Sequence, residues 1–145
     1  MAPKAEPFDI DGFLAQPLLA RVAAAGPSVR AVWFLWEQDC FWWLTGSWAR
    51  LPAILAEDPR VALLVDTCDL GTGEVRQVSA RGDAELLPFD RARARRKLVR
   101  YLGADERAWD PRFRIEALAI DPTARFVRLS PRRLIARDLS FRPPR

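Results

Sequence analysis

The 145-residue chain contains no histidine. That absence removes Ser-His-Asp and Cys-His nucleophile systems, histidine-ligated zinc, haem or non-haem iron, and any imidazole acid–base step. Cysteine is nearly as scarce. Cys40 and Cys68 form no CxxC pair and cannot supply a four-thiolate metal site, so no metal is expected. No run of about 18 apolar residues occurs, and no membrane span is expected. Leu18 to Ala25 is short and interrupted by Arg21, and Met1 to Pro7 is polar, so no signal peptide is read. The expected compartment is the cytoplasm, with both thiols reduced. Lysine is the last shortage: of 23 basic residues only Lys4 and Lys97 are lysine, and the rest are arginine.

What remains describes one globular domain over residues 1–145, with 50% hydrophobic and 29% charged residues. A chain of this length buries enough surface to fold without a disulfide or metal. The net charge of +4 is modest for a nucleic-acid binder, and the preference for arginine, with 12 prolines, points to GC-rich coding.

Asp9 or Asp11 can cap a short helix through Phe13 and Leu14 that stops before Pro17. Leu18 to Ala23 fits helix or strand, and Gly26-Pro27 breaks the chain. Val29–Trp36 and Cys40–Thr45 are two aromatic, β-branched runs joined by Glu37-Gln38-Asp39, which predicts a hairpin. Val32, Phe34 and Trp36 share one face of the first run, and Ala31, Trp33 and Leu35 the other; Trp42 and Leu44 oppose Phe41 and Trp43. Both faces are apolar, so both need cover, and a second subunit is the expected cover for one of them.

A helix is expected over about Arg50–Glu57, a buried strand over Val61–Val65, a loop over Asp66–Gly73 and a long half-exposed strand over Val75–Leu86, bent near Gly82. Asp90 caps a helix ending at Gly103, with Ala94, Leu98, Tyr101 and Leu102 on its buried stripe. Arg93, Arg96, Lys97 and Arg100 lie opposite, expected to face solvent. Phe113–Ile120 is ambiguous; Ala124–Leu129 and Leu134–Leu139 read as strands, and residues 1–10 and 141–145 as extended tails. Six or seven strands with two or three short helices suggest a mainly β, antiparallel barrel with helices at its openings.

One unit carries candidate chemistry. In Thr45-Gly46-Ser47-Trp48, a strand end meets a small-residue turn before a helix, a recipe for anion binding through free backbone amides. Thr45 and Ser47 add hydroxyl donors and Arg50 a planar guanidinium. The plainer alternative is that Ser47 caps the helix and Arg50 is a surface charge.

Val32-Trp33-Phe34, Thr45-Gly46, Asp58-Pro59-Arg60-Val61-Ala62-Leu63 and Arg81-Gly82-Asp83-Ala84-Glu85 follow one another in an order and spacing that resembles the pyridoxamine 5′-phosphate oxidase-like proteins. These are flavin-binding split β-barrels of Greek-key type, and they include the deazaflavin (F420)-dependent reductases. The resemblance covers Leu18 to Leu87, and more loosely the C-terminal strands. It implies a homodimer with two cofactor sites across the subunit interface, and FMN or F420 as cofactor, with F420 favoured by the GC-rich composition. By that resemblance Thr45, Gly46, Ser47, Trp48 and Arg50 match the phosphate-binding positions. The backbone of Arg30, Ala31, Val32 and Trp33 matches the segment along the flavin ring. The sequence departs from the family where Leu51 replaces the usual lysine and Ile54 the usual asparagine. Arg30 and Arg76 are the candidates to replace the lost charge.

Three readings follow. The first is an F420- or FMN-dependent oxidoreductase acting on a small organic molecule, with catalytic residues unassigned. The second is a cofactor-poor split barrel that binds a ligand or partner. The third, a nucleic-acid binder on the arginine helix, is disfavoured because no aromatic residues interleave with the arginines.

Overall fold

The structure is a computed structural model, and it describes residues 5–145. Residues 1–4 of the expected N-terminal tail lie outside the described residues. The chain is mainly antiparallel β and forms the split barrel that the sequence suggested. Its strands are β1 (Leu19–Ala24), β2 (Ser28–Trp33), β3 (Leu35–Glu37), β4 (Cys40–Thr45), β5 (Arg60–Asp69), β6 (Glu74–Pro88), β7 (Arg125–Leu129) and β8 (Arg133–Asp138). Four short helices accompany them: α1 (Ile10–Leu14), α2 (Leu51–Glu57), α3 (Arg91–Leu102) and α4 (Ile115–Ala119). Two 3-10 turns, Glu106–Ala108 and Pro111–Phe113, connect α3 to α4.

The sheet runs β2-β1-β5-β6-β7-β4-β3, with β8 on β6. The long strand β6 is the hinge between two half-sheets. Its residues from Glu74 to Asp83 pair with β5, and those from Arg76 to Arg81 also pair with β8. From Ala84 to Pro88 it changes partner to β7. Gly82 sits at the change. A Cβ there would stand 3.0 Å from the Ser130 carbonyl oxygen and 3.3 Å from the Arg132 nitrogen, so any side chain would press on the backbone of the β7–β8 turn. Beyond that point the inward face changes too: Leu86, expected with Val78 and Ala80, is exposed, and Leu87 packs inside.

The expected hairpin strand Val29–Trp36 is two strands. It breaks at Phe34, and β2 pairs with β1, not with β4. The true hairpin is β3–β4, turned by Gln38 and Asp39, both at φ 56°. Two successive left-handed residues match the twist of the flanking strands. The alternation of faces survives the break. Val32, Phe34, Trp36, Phe41 and Trp43 point into the barrel, while Trp33, Leu35, Trp42 and Leu44 point to its other side.

The cover on that other side differs from the expectation. Helix α3 and the segment around Trp109 and Ile115 close it within one chain, forming a second core with Leu35, Trp42 and Phe126. A single chain thus satisfies the hairpin. Asp9 is the cap of α1, accepting from the Gly12 amide at 3.0 Å. The first half of the loop expected over Asp66–Gly73 is strand, because β5 continues to Asp69 before a tight turn. Among the described residues no helix is long and apolar enough to cross a membrane.

Candidate functional site

A cavity of about 680 Å³ opens between β2, the end of β4, α3 and the segment from Arg112 to Asp121. Ala31, Val32 and Trp33 line one side, and Trp48 stands at another. These four of the nine site residues expected from sequence are brought together. The others are not in its wall. Arg30 turns away, its guanidinium 2.8 Å from the Ser28 hydroxyl and 3.4 Å from the Val22 carbonyl. Thr45 shares the inward face of Phe41 and Trp43, buried with its hydroxyl lacking a hydrogen-bond partner.

The turn after β4 is built differently from the anion cradle that the sequence suggested. The Trp48 ring lies directly against Gly46, where any side chain would collide with it. The Ser47 amide donates to the Thr123 hydroxyl at 3.0 Å, and the Thr123 hydroxyl also lies 3.2 Å from the Ser47 hydroxyl. Ser47 therefore does not cap α2. Arg50 takes the cap position, exposed and with no side-chain bond to the helix. Leu51, where the resemblance leads one to expect a lysine, is buried in the barrel core at 3% exposure. Leucine there carries no charge, so a cation for an anionic group does not come from this position.

Nor does it come from the proposed replacements. Arg76 pairs with Asp138 at 3.5 Å and lies over the Phe8 ring, away from the cavity. The cations that do line the cavity are Lys97 and Arg112. The sequence placed Lys97 on a solvent-facing stripe and did not single out Arg112.

Lys97 is the unusual one. It projects from α3 at 4% exposure, with its ammonium 5.8 Å from the centre of the Trp33 ring. Burial alone holds its pKa down at about 8, with no carboxylate beside it to offset the loss of water. The helix face expected to meet solvent does so only in part: Arg96 is exposed, Arg93 and Arg100 are half-buried, and Lys97 is buried. Arg93 and Arg96 both pair with Glu37 at 2.8 Å, and Arg93 stacks on the Trp42 ring. Arg100 donates to the Leu14 carbonyl at 2.7 Å. Three of the four cations are consumed by intramolecular contacts, and Lys97 is left over.

Trp33 is held between Tyr101, stacked at 4.8 Å with planes 7° apart, and Phe113 at 5.4 Å. This fixes one wall of the cavity rigidly. Arg112 stands at the rim, exposed, over the Phe113 ring and 3.3 Å from Asp110. Asp121 supplies one carboxylate, kept ionised by the Thr123 hydroxyl and amide. The volume lies within the roughly 300–1,000 Å³ of small-molecule sites. Aromatic walls, one unpaired buried cation and a second at the mouth suit a flat ligand with a negative end. Among the described residues no cluster of acidic or thiol groups could hold a metal.

Fold and cavity together define a split-barrel protein with a cavity of small-molecule size beside its second strand. The family model for pyridoxamine 5′-phosphate oxidase matches residues 9–137, and the chain belongs to that family. Solved structures share the fold at low identity. A conserved hypothetical protein of Mycobacterium tuberculosis is 19% identical with a TM-score of 0.69, covering 95% of this chain and 89% of its own. An F420 reductase is 20% identical with a TM-score of 0.64, covering 89% and 98%. A FAD-binding protein of Mesorhizobium loti is 18% identical with a TM-score of 0.62, over 89% and 91%. No curated protein matches the sequence.

Proposed function

We propose that this chain binds a flavin or deazaflavin, F420 before FMN, and works as an oxidoreductase on a small organic substrate. The observation that carries the reading is the cavity beside Ala31, Val32 and Trp33, at the strand that resemblance assigns to the flavin ring. Its volume and aromatic walls fit a flat heteroaromatic ring, and Lys97 and Arg112 fit its negative groups. The F420 reductase and the FAD-binding protein of the same fold lend support. A bound flavin or deazaflavin supplies hydride transfer, so the missing histidine is no obstacle. The chain's own part is to bind, orient and exclude water. Trp33, clamped by Tyr101 and Phe113, gives a rigid wall; Trp48, 55% exposed, can close over a ligand.

A homodimer in the cytoplasm completes the reading. The support for a dimer is the outer face of β1, β2 and β5, where Val29 is 73% exposed, Ala62 is exposed and Leu64 half-buried. Light scattering of the purified protein reads this directly.

The second reading, a split barrel without a redox cofactor, is favoured by Leu51 in the core and Arg50 without a basic neighbour. Titration of the purified protein with FMN and with F420, followed by quenching of tryptophan and ligand fluorescence, separates the two. Binding of either cofactor that is weakened by Trp48→Ala supports the first; no change with either cofactor supports the second.

A further inference from the structure

We infer that Lys97 is the anion-recognising residue of the cavity, and that the site selects a planar organic ligand carrying one delocalised negative oxygen group. The inference rests on the reading of this cavity as the binding site, but not on the identity of a cofactor. The argument begins with α3. Four basic side chains occupy one face of this helix, and the fold finds a partner for each of three. Glu37 takes Arg93 and Arg96, and the carbonyls of Leu14 and Gln16 take Arg100. Lys97, the most buried of the set, has only the Trp33 ring.

A buried, unpaired ammonium is costly, and proteins rarely leave one without a counter-charge. Here the side chain borders a cavity of about 680 Å³ that has room for one. Asp121 belongs to the same wall, but its carboxylate is bound to Thr123. The Trp33 ring lies 5.8 Å from the ammonium, and Leu44, Leu98 and Leu118 are among the other apolar walls of the cavity. A flat apolar body fits between them, and its anionic oxygen falls to Lys97.

Two sources could offer such a group: the ring of a flavin-type cofactor, or the carboxylate of a second molecule. One probe set distinguishes them. The intact protein is titrated with 2-naphthoate and with its neutral analogue 2-naphthamide, by calorimetry and tryptophan fluorescence, with and without saturating FMN. The expected result is that Lys97→Met weakens 2-naphthoate by about tenfold or more while leaving 2-naphthamide unchanged. Lys97→Arg, which keeps the charge, recovers part of the loss. Competition with FMN assigns the anion to the cofactor ring; simultaneous binding assigns it to a second molecule.

A wild-type measurement stands beside the variants. As pH rises from 7 to 9.5 the ammonium loses its proton, and 2-naphthoate affinity falls while 2-naphthamide affinity holds. Asp121, held below its ordinary value by the Thr123 hydroxyl and amide, stays ionised in that range, and burial pushes the Tyr101 hydroxyl above its ordinary value. Failure of 2-naphthoate to bind, or equal loss of both probes in Lys97→Met, overturns the inference. Absence of FMN and F420 binding alongside charge-dependent 2-naphthoate binding sinks only the cofactor reading.

Discussion

The Tyr101 hydroxyl accepts the amide hydrogen of Phe34 at 3.0 Å, at the one residue where β2 gives way to β3. The same oxygen lies 2.7 Å from the Leu18 carbonyl, to which it donates. Phe34 is fully buried, and its backbone has left both strand ladders. An orphaned amide there would carry the full cost of its lost water. The only tyrosine of the chain supplies the missing partner from α3, while its ring braces Trp33. One side chain thus allows the strand to change sheets and fixes the cavity wall.

Tyr101→Phe keeps the ring and removes the hydroxyl. It is expected to destabilise the protein by about 1–3 kcal/mol in urea unfolding, with an unchanged far-ultraviolet spectrum. A loss within a few tenths of a kcal/mol would show that the strand break needs no such partner.

Glu37 anchors the β3–β4 hairpin to α3 through two arginines. Hydrogen bonds from Arg96, then Arg93, hold its carboxyl below the ordinary 4.5 despite partial burial. A depressed carboxyl contributes stability above its unfolded value and loses it as pH falls through the folded one. Glu37→Gln should cost about 1 kcal/mol at pH 7. The gap between the two proteins should close as pH drops below 4.5, read by thermal melts across pH.

For Lys97 the sign reverses. Its folded pKa of about 8 lies below the unfolded 10.5, so the unfolded state binds more protons between those values. Wild-type stability should therefore rise, relative to Lys97→Met, as pH climbs through that window. At pH 7 the methionine variant is expected to be the more stable, by on the order of 3 kcal/mol. Urea midpoints at pH 7 and pH 9.5 check both statements.

Gly82→Ala places a methyl group against the backbone of Ser130 and Arg132. Backbone yields less than a side-chain tip, so a loss of about 1–3 kcal/mol is expected in the same unfolding assay.

Local patterns in the sequence reached much of the fold. The alternation in Val29–Trp36 and Cys40–Thr45 sorted the side chains onto the faces they occupy. Asp90 and Gly103 bounded α3 where it lies. The break at Phe34 was hidden because the run is uniformly apolar, and alternation carries straight through a change of partner. The site was legible only in part. Ala31, Val32, Trp33 and Trp48 came from a resemblance in sequence motifs, and they do line the cavity. Thr45, Gly46, Ser47 and Arg50 stand outside its wall, and Leu51 beside them serves the core.

The basic stripe on α3 shows the limit most plainly. Helical spacing placed Arg93, Arg96, Lys97 and Arg100 on one face, and nothing local says whether that face meets water or protein. That is decided by the path of β6, which carries α3 across the outer side of β4. The sequence by itself determined the bounds of α3, the two-sided aromatic hairpin and the lack of histidine chemistry, since periodicity and composition are properties of neighbours along the chain. Tertiary structure alone decided that the hairpin is covered from within, that Leu51 is core, and that Lys97 is the cation left without a partner. Pairing is a property of neighbours in space, and burial sets what an unpaired charge costs.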